Sequence, residues 1–270
     1  MKILTWFRSL SVDIALGSVV MTNSLAKTQG IKLPLSISLA LFFAVWFIYT
    51  LDHWLDAKRL GQQATMHRHQ LHDRYNKPLF YLMIIEVIGG LISCYWLPAQ
   101  SFYLGAIVGV SVVLYFLFSV IFHIVLIKEV LIASIYAVGV LVGPLSIGSN
   151  ASMVNLLYLL IIFGLALVNL IIIAMYEISH DIKDDTPSWP IRFGYKSSYF
   201  LVICILYGLL ILIGFCGYWA GSSLVLQGSF FVMAIVLNVI VRHPRFFRKH
   251  ERYRIFADLI FFIPGITLLY

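Results

Sequence analysis

Long apolar runs separated by short polar segments recur along this chain. Stretches of about 17–25 mainly apolar residues are long enough to cross the hydrocarbon core of a bilayer as helices. Nine qualify, at about 9–26, 33–51, 78–97, 101–122, 128–148, 153–176, 198–219, 223–241 and 255–270. The pattern predicts an all-α polytopic membrane protein, a nine-transmembrane-helix bundle forming one integral-membrane domain over residues 1–270. Composition agrees: 61% of residues are hydrophobic and 11% charged, far from a soluble average. Met1 to Arg8 is short, and the first apolar stretch contains Asp13 and Asn23 without a small-residue cleavage site, so no cleavable signal peptide is expected. Cys94, Cys204 and Cys216 stand isolated in apolar runs, which suggests neither a disulfide framework nor zinc.

The net charge of +7 is informative through its placement. Threading the chain through nine spans puts all but Lys27 and Lys32 of the 19 Lys and Arg residues on one side. The positive-inside rule assigns that side to the cytoplasm, and one helix more or fewer would scramble the asymmetry. The N-terminus is then inside, in what is expected to be a bacterial inner membrane. A basic loop such as Arg242–Arg254 reads as facing lipid headgroups, and no nucleic-acid partner is expected.

The connections on the opposite side are short and mild, while the cytoplasmic ones carry nearly all the ionisable side chains. Two acidic clusters belong to this inner face. Asp52-His53-Trp54-Leu55-Asp56 closes the second span, and Glu177-Ile178-Ser179-His180-Asp181-Ile182-Lys183-Asp184-Asp185 follows the sixth. Asp52 and Asp56 stand four apart, as do Glu177, Asp181 and Asp185, so each set lines one face if its helix continues. Like charges at that spacing repel unless a cation lies between them. Hard cations such as Mg²⁺ prefer oxygen ligands and often complete their shell with substrate phosphates. In a mostly lipid-soluble chain, this set of residues points to an enzyme that handles a phosphorylated lipid.

At these residues the chain resembles the UbiA superfamily of intramembrane prenyltransferases. That family has nine transmembrane helices, with aspartate-rich motifs at the cytoplasmic ends of helices 2 and 6. The first motif reads NDxxDxxxD or NxxxDxxxD, and Asp52 and Asp56 match its last two acidic positions. The second contains DxxxD, matched by Asp181 and Asp185, with Glu177 where an earlier Asp often occurs. Lys128 occupies the place of a family lysine that contacts diphosphate, and the run from Asp185 to Arg192-Phe193-Gly194 is also similar. The resemblance implies Mg²⁺-dependent ionisation of a prenyl diphosphate, then transfer of the prenyl group to a hydrophobic, plausibly aromatic acceptor. It implies Asp52, Asp56, Asp181 and Asp185 as catalytic residues. Together with Glu177 and Asp184, the same four are expected to hold the metal. Lys128, Arg59, Lys183 and Arg192 are expected to grip the diphosphate. Some branches of the superfamily instead cyclise a terpenyl diphosphate without an acceptor. The chain departs from the pattern at Ile48 and Tyr49, where the family usually has Asn and often Asp, and an apolar Ile offers no ligand atom.

Other signals are weaker. His67-Arg68-His69-Gln70-Leu71-His72 lacks the HxxxH and HxxHH spacing of di-iron histidine boxes and reads as a solvated basic loop. Tyr49, Trp54, Tyr115, Tyr136 and Tyr176 offer faces to an allylic cation, although aromatic residues are common in membrane interiors anyway. Glu86, near the middle of the third span, is a candidate acceptor contact or an interhelical hydrogen-bond partner. Asp258 stands four residues from Arg254 and is expected to pair with it. A transporter driven by protons or metal ions is the alternative from another class. The acidic residues crowd one face, however, and no Gly/Pro-broken helix pair lies at the midplane.

Overall fold

The computed structural model describes residues 10–60, 75–122, 128–148, 153–219 and 223–270. No strand occurs among the described residues, in keeping with a solvent that cannot hydrogen-bond an open backbone. The main helices are α1 (Val12–Thr28), α2 (Leu35–Leu60), α3 (Asn76–Tyr95), α4 (Ala99–Phe122), α5 (Lys128–Ile147), α6 (Met153–Lys183), α7 (Tyr195–Trp219), α8 (Leu224–Arg242) and α9 (Arg252–Leu259). The last of these runs on in 3₁₀ form over Ile260–Leu269, and a short helix, Trp189–Phe193, precedes α7.

Among the described residues seven helices, α2 to α8, are long and apolar enough to cross a membrane. The first and ninth expected spans are present as helical segments that fall short of this. Helix α1 has 17 residues with Asp13 buried in its first turn, and α9 tightens to a 3₁₀ segment containing Pro264. With 26 and 31 residues, the helices that carry the acidic clusters, α2 and α6, span roughly 39 and 46 Å at 1.5 Å per residue, longer than a hydrocarbon core of about 30 Å; α7, with 25 residues, is nearly as long as α2.

Most helices pack on a neighbour in the chain, and the two ends of the chain close on each other. Helix α1 packs on α2 and α5, α2 on α3, α4 on α5, α5 on α6, α6 on α7 and α7 on α8. The closing 3₁₀ segment then packs between α8 and α1 and joins the two ends of the sequence. Helix α6 supplies the centre of the core, with Ile161, Ile162, Leu165, Val168, Ile171 and Ile172 fully buried. Small residues admit close approach there and elsewhere: a Cβ on Gly164 would lie 2.7 Å from Leu209 Cδ2 of α7. On α3 and α4, by contrast, Ile85, Ile88, Leu91, Tyr103, Ile107 and Val110 face outward. That much exposed apolar surface is untenable in water and ordinary against lipid tails.

Buried polar side chains tie the helices together. Asn23 Nδ2 donates to Ser38 Oγ at 2.9 Å, Ser101 and Ser146 share a hydrogen bond of 2.7 Å, and Thr50 Oγ1 donates to Glu86 Oε1 at 3.0 Å. Glu86 thus bonds α3 to α2, the interhelical reading of its intramembrane carboxyl.

Candidate functional site

Helix α6 ends at Lys183 for a local reason. Asp185 takes the left-handed backbone conformation, φ 47°, and the Thr186 N–H turns back to the Asp181 carbonyl at 2.8 Å. This is a Schellman-type closure. It breaks the expected line of three carboxylates: Glu177 and Asp181 share a helix face, whereas Asp185 sits beyond the helix end and is exposed. Asp181 and Asp184 are both buried, each with 8% exposure. Lys183 points out to solvent, as does Arg192.

Asp181 lies within electrostatic reach of Glu177, Lys128 and Glu129. The last two open α5, which runs antiparallel beside α6. Glu129 has a further task that its sequence position gave no sign of. Its Oε1 accepts the Trp189 backbone N–H at 2.8 Å, anchoring the short helix that carries Arg192. Trp189 and Phe193 pack together at 4.6 Å, and Gly194, at φ 82°, supplies the turn into α7 that a side chain would resist. Glu129→Ala is expected to cost about 1–3 kcal/mol by stranding the Trp189 donor. Glu129→Gln, which keeps an acceptor oxygen, should lose much less. Thermal unfolding in detergent, run on both variants, checks the difference.

One turn before Asp181, Glu177 is engaged from another helix. Its Oε1 accepts hydrogen bonds from Tyr253 Oη at 3.0 Å and from Arg254, with which it forms an ion pair. Tyr253 also stacks face to face on Tyr176, with ring centroids 4.4 Å apart, and Tyr176 Oη donates to the Ile240 carbonyl of α8 at 2.7 Å. The expected partner of Arg254, Asp258, is within its electrostatic reach, and Glu177 is a further acidic partner from another helix.

The other acidic cluster ends α2. Asp52 is half-buried; the side chains of Asp56 and Arg59, on the last turns of the same helix, lie outside the described residues, as does the segment His67 to His72. Next to Asp52, His53 is buried, its Nδ1 3.4 Å from Ser11 Oγ at the start of α1. Tyr49, one turn before Asp52, lies within electrostatic reach of Tyr136 of α5, which meets Phe261 edge to face at 5.1 Å. Lys58 Nζ rests 3.7 Å over the Trp54 ring. Ile48 is half-buried and contributes no polar atom.

Contacts through the closing segment place the two clusters at one end of the bundle. The start of α1 meets His53. From there α1 runs parallel to the closing segment, since Ser24 Oγ donates to the Pro264 carbonyl and Lys27 Nζ to the Leu268 carbonyl. The helix that leads into that segment, α9, begins with Tyr253 and Arg254 on Glu177. The acidic ends of α2 and α6 are therefore co-terminal, with Lys128 on the same side. Among the described residues, no three His, Cys, Asp or Glu side chains converge into a complete ligand set. The donors present are carboxylate oxygens on two separate helices with a lysine beside them. That chemistry suits a hard divalent cation whose remaining ligands come from a phosphate.

The family model described as the UbiA prenyltransferase family matches residues 10–263. No curated protein sequence matches the chain significantly. Among solved structures, a UbiA homolog from Archaeoglobus fulgidus bound to GPP and Mg²⁺ superposes with a TM-score of 0.69 at 12% identity, covering 98% of this chain and 99% of that one. The same homolog bound to DMAPP and Mg²⁺ gives 0.67 at 12% identity over the same shares. A structure concerned with digeranylgeranylglyceryl phosphate synthase in membranes gives 0.60 at 16% identity, covering 99% and 96%. At these identities the superpositions establish a common fold.

Proposed function

This chain belongs to the UbiA prenyltransferase family, and from that premise we propose that it transfers a prenyl group from a prenyl diphosphate to a hydrophobic or aromatic acceptor in a Mg²⁺-dependent reaction. One observation carries the reading: Asp181 and Asp184 are buried at the end of α6, beside Lys128, at the same end of the bundle as Asp52. Solved relatives of this fold hold GPP or DMAPP together with Mg²⁺.

Asp52 and Asp56 form one arm of the metal site and Asp181, Asp184 and Asp185 the other. With Ile48 one turn before Asp52, the first arm rests on its two aspartates. Mg²⁺, when bound, neutralises charge that builds on the departing diphosphate. Lys128, within electrostatic reach of Asp181, would share that anion, and Arg59 with the solvent-facing Lys183 and Arg192 would complete the clamp on substrate binding. The prenyl chain lies between helices, where Tyr49 and Tyr136 present aromatic rings about a turn below the carboxylates and stabilise the allylic cation. The apolar surroundings exclude water, which would otherwise capture that cation.

We assign all nine helical segments to the membrane, with the N-terminus and both acidic ends on the cytoplasmic face of a bacterial inner membrane. The arrangement of basic residues supports this orientation.

Purified protein in nanodiscs, given labelled geranyl, farnesyl or geranylgeranyl diphosphate and a panel of aromatic acceptors, tests the reading. Mg²⁺-dependent release of diphosphate with prenylated acceptor is expected, abolished by EDTA. A cyclised product in acceptor-free tubes identifies a terpene cyclase instead. Absence of release with every donor rejects the enzymatic assignment and favours the transporter reading.

A further inference from the structure

We propose that Glu177 and Arg254 are positioning residues, a cross-helix clamp that orients the metal-binding end of α6, and that Glu177 is not itself a metal ligand. The proposal rests on the prenyl-diphosphate reading of the site given above and changes the role of one residue in it. By its place in the second acidic motif, Glu177 reads as a ligand. The structure gives its Oε1 two donors instead, the Arg254 guanidinium and the Tyr253 hydroxyl. A carboxylate already neutralised by a guanidinium has little charge left for a cation, and the pair is enclosed, at 15% and 9% side-chain exposure.

The surroundings are built around this contact. Tyr253, preceding Arg254, stacks flat on Tyr176, preceding Glu177. Tyr176 in turn bonds the α8 backbone at Ile240. Three helices thus meet at residues 176 and 177, one turn below Asp181 on the same face of α6. The turn that delivers Arg254 is itself strained: His250 and Glu251, adjacent and neither a glycine, both hold left-handed backbone angles, φ 55° and 52°. Such a conformation persists only where the surroundings over-determine it, and the contact with Glu177 is well placed to do so. Glu177, Glu251 and Asp258 are the carboxylates facing Arg254, so the guanidinium offsets an acidic neighbourhood one turn below Asp181, whose side chain hydrogen-bonds Ser188.

The two roles for Glu177 predict opposite signs. If Glu177 were a ligand held back by Arg254, removing the guanidinium would free it and tighten metal binding. If the pair positions Asp181, removing either member loosens binding. The experiment is calorimetric titration of Mg²⁺ with inorganic pyrophosphate into full-length protein in nanodiscs, comparing wild type with Glu177→Gln, Arg254→Gln, the double variant and Asp181→Asn. Each single change at the pair is expected to weaken binding about tenfold, as loss of a residue that orients a ligand typically does. The double variant should be no worse than either single one. Arg254→Lys, which keeps the charge and loses the planar fork, should show a smaller loss and serves if Arg254→Gln does not fold. Tighter or unchanged binding in folded Arg254→Gln, or additive losses in the double variant, overturns the proposal. Wild-type binding in Asp181→Asn, or none in the wild type, would instead remove the metal-site reading beneath it.

Discussion

Asp181→Asn is expected to lower turnover of a prenyl diphosphate by about 10³-fold, roughly 4 kcal/mol of transition-state stabilisation. Asparagine has nearly the same shape, so packing at the end of α6 is preserved. On the proposed reading, what disappears is the negative charge that would hold the cation, and with it the neutralisation of the leaving group. Folding should respond in the other direction. Asp181 is buried within reach of the carboxylates of Glu177 and Glu129, so removing its charge relieves repulsion as well as separating it from Lys128. The folded protein should be as stable as wild type or slightly more so, the usual relation between a charged functional site and stability. Radiolabelled diphosphate release and thermal unfolding, measured on one preparation, decide the matter. Asp52→Ala is the companion test on the other arm and should be similarly inactive. Wild-type turnover in either variant would remove that aspartate from the site.

Gly164→Leu is expected to cost about 3 kcal/mol of stability, with activity lost only as the folded fraction falls. Gly164 lies in the middle of α6, where the helix meets α7. An added Cβ would stand 2.7 Å from Leu209 Cδ2, 3.2 Å from Cγ and 3.3 Å from Cδ1. The whole branched end of Leu209 blocks it, and Leu209 is itself buried. A leucine side chain adds three further carbons to a space without room for the first. The helices must separate, and in lipid their association relies on close packing because burial of apolar surface supplies little drive. A lower midpoint in detergent-denaturant unfolding is the expected result. An unchanged midpoint would mean that α6 and α7 separate at this position without cost. Gly164→Ala, whose single methyl can be accommodated by a small shift of Leu209, should fall between wild type and leucine.

The two variants probe information held in different ways. Membrane-spanning character was legible from the chain because it needs only enough consecutive apolar residues, a one-dimensional property. The helices from α2 to α8 follow the predicted runs for that reason. The two acidic clusters were visible as well, since Asp52, Asp181 and their neighbours interrupt apolar runs where charge is costly. Their joint position at one end could be anticipated from the asymmetry of the basic residues, given a fixed number of crossings.

Two features were decided only by tertiary structure, and a third by a local turn. The end of α6 was the local one: continued helical periodicity would have placed Asp185 in line with Asp181, but the left-handed turn at Asp185 ends the helix and moves that carboxylate outward. The further partner of Arg254 was the first of the tertiary pair. Spacing along the chain pointed to Asp258, four residues away and within electrostatic reach of Arg254, but gave no sign of the ion pair with Glu177, 77 residues away, which forms because α9 packs across the end of α6. Glu129 was the second, its acceptor role depending on where the Trp189 N–H arrives after the chain turns back from α6. Apolar length and local charge spacing are written in the order of residues. Which buried donor meets which carboxylate is set by how helices cross, and no local pattern carries that angle.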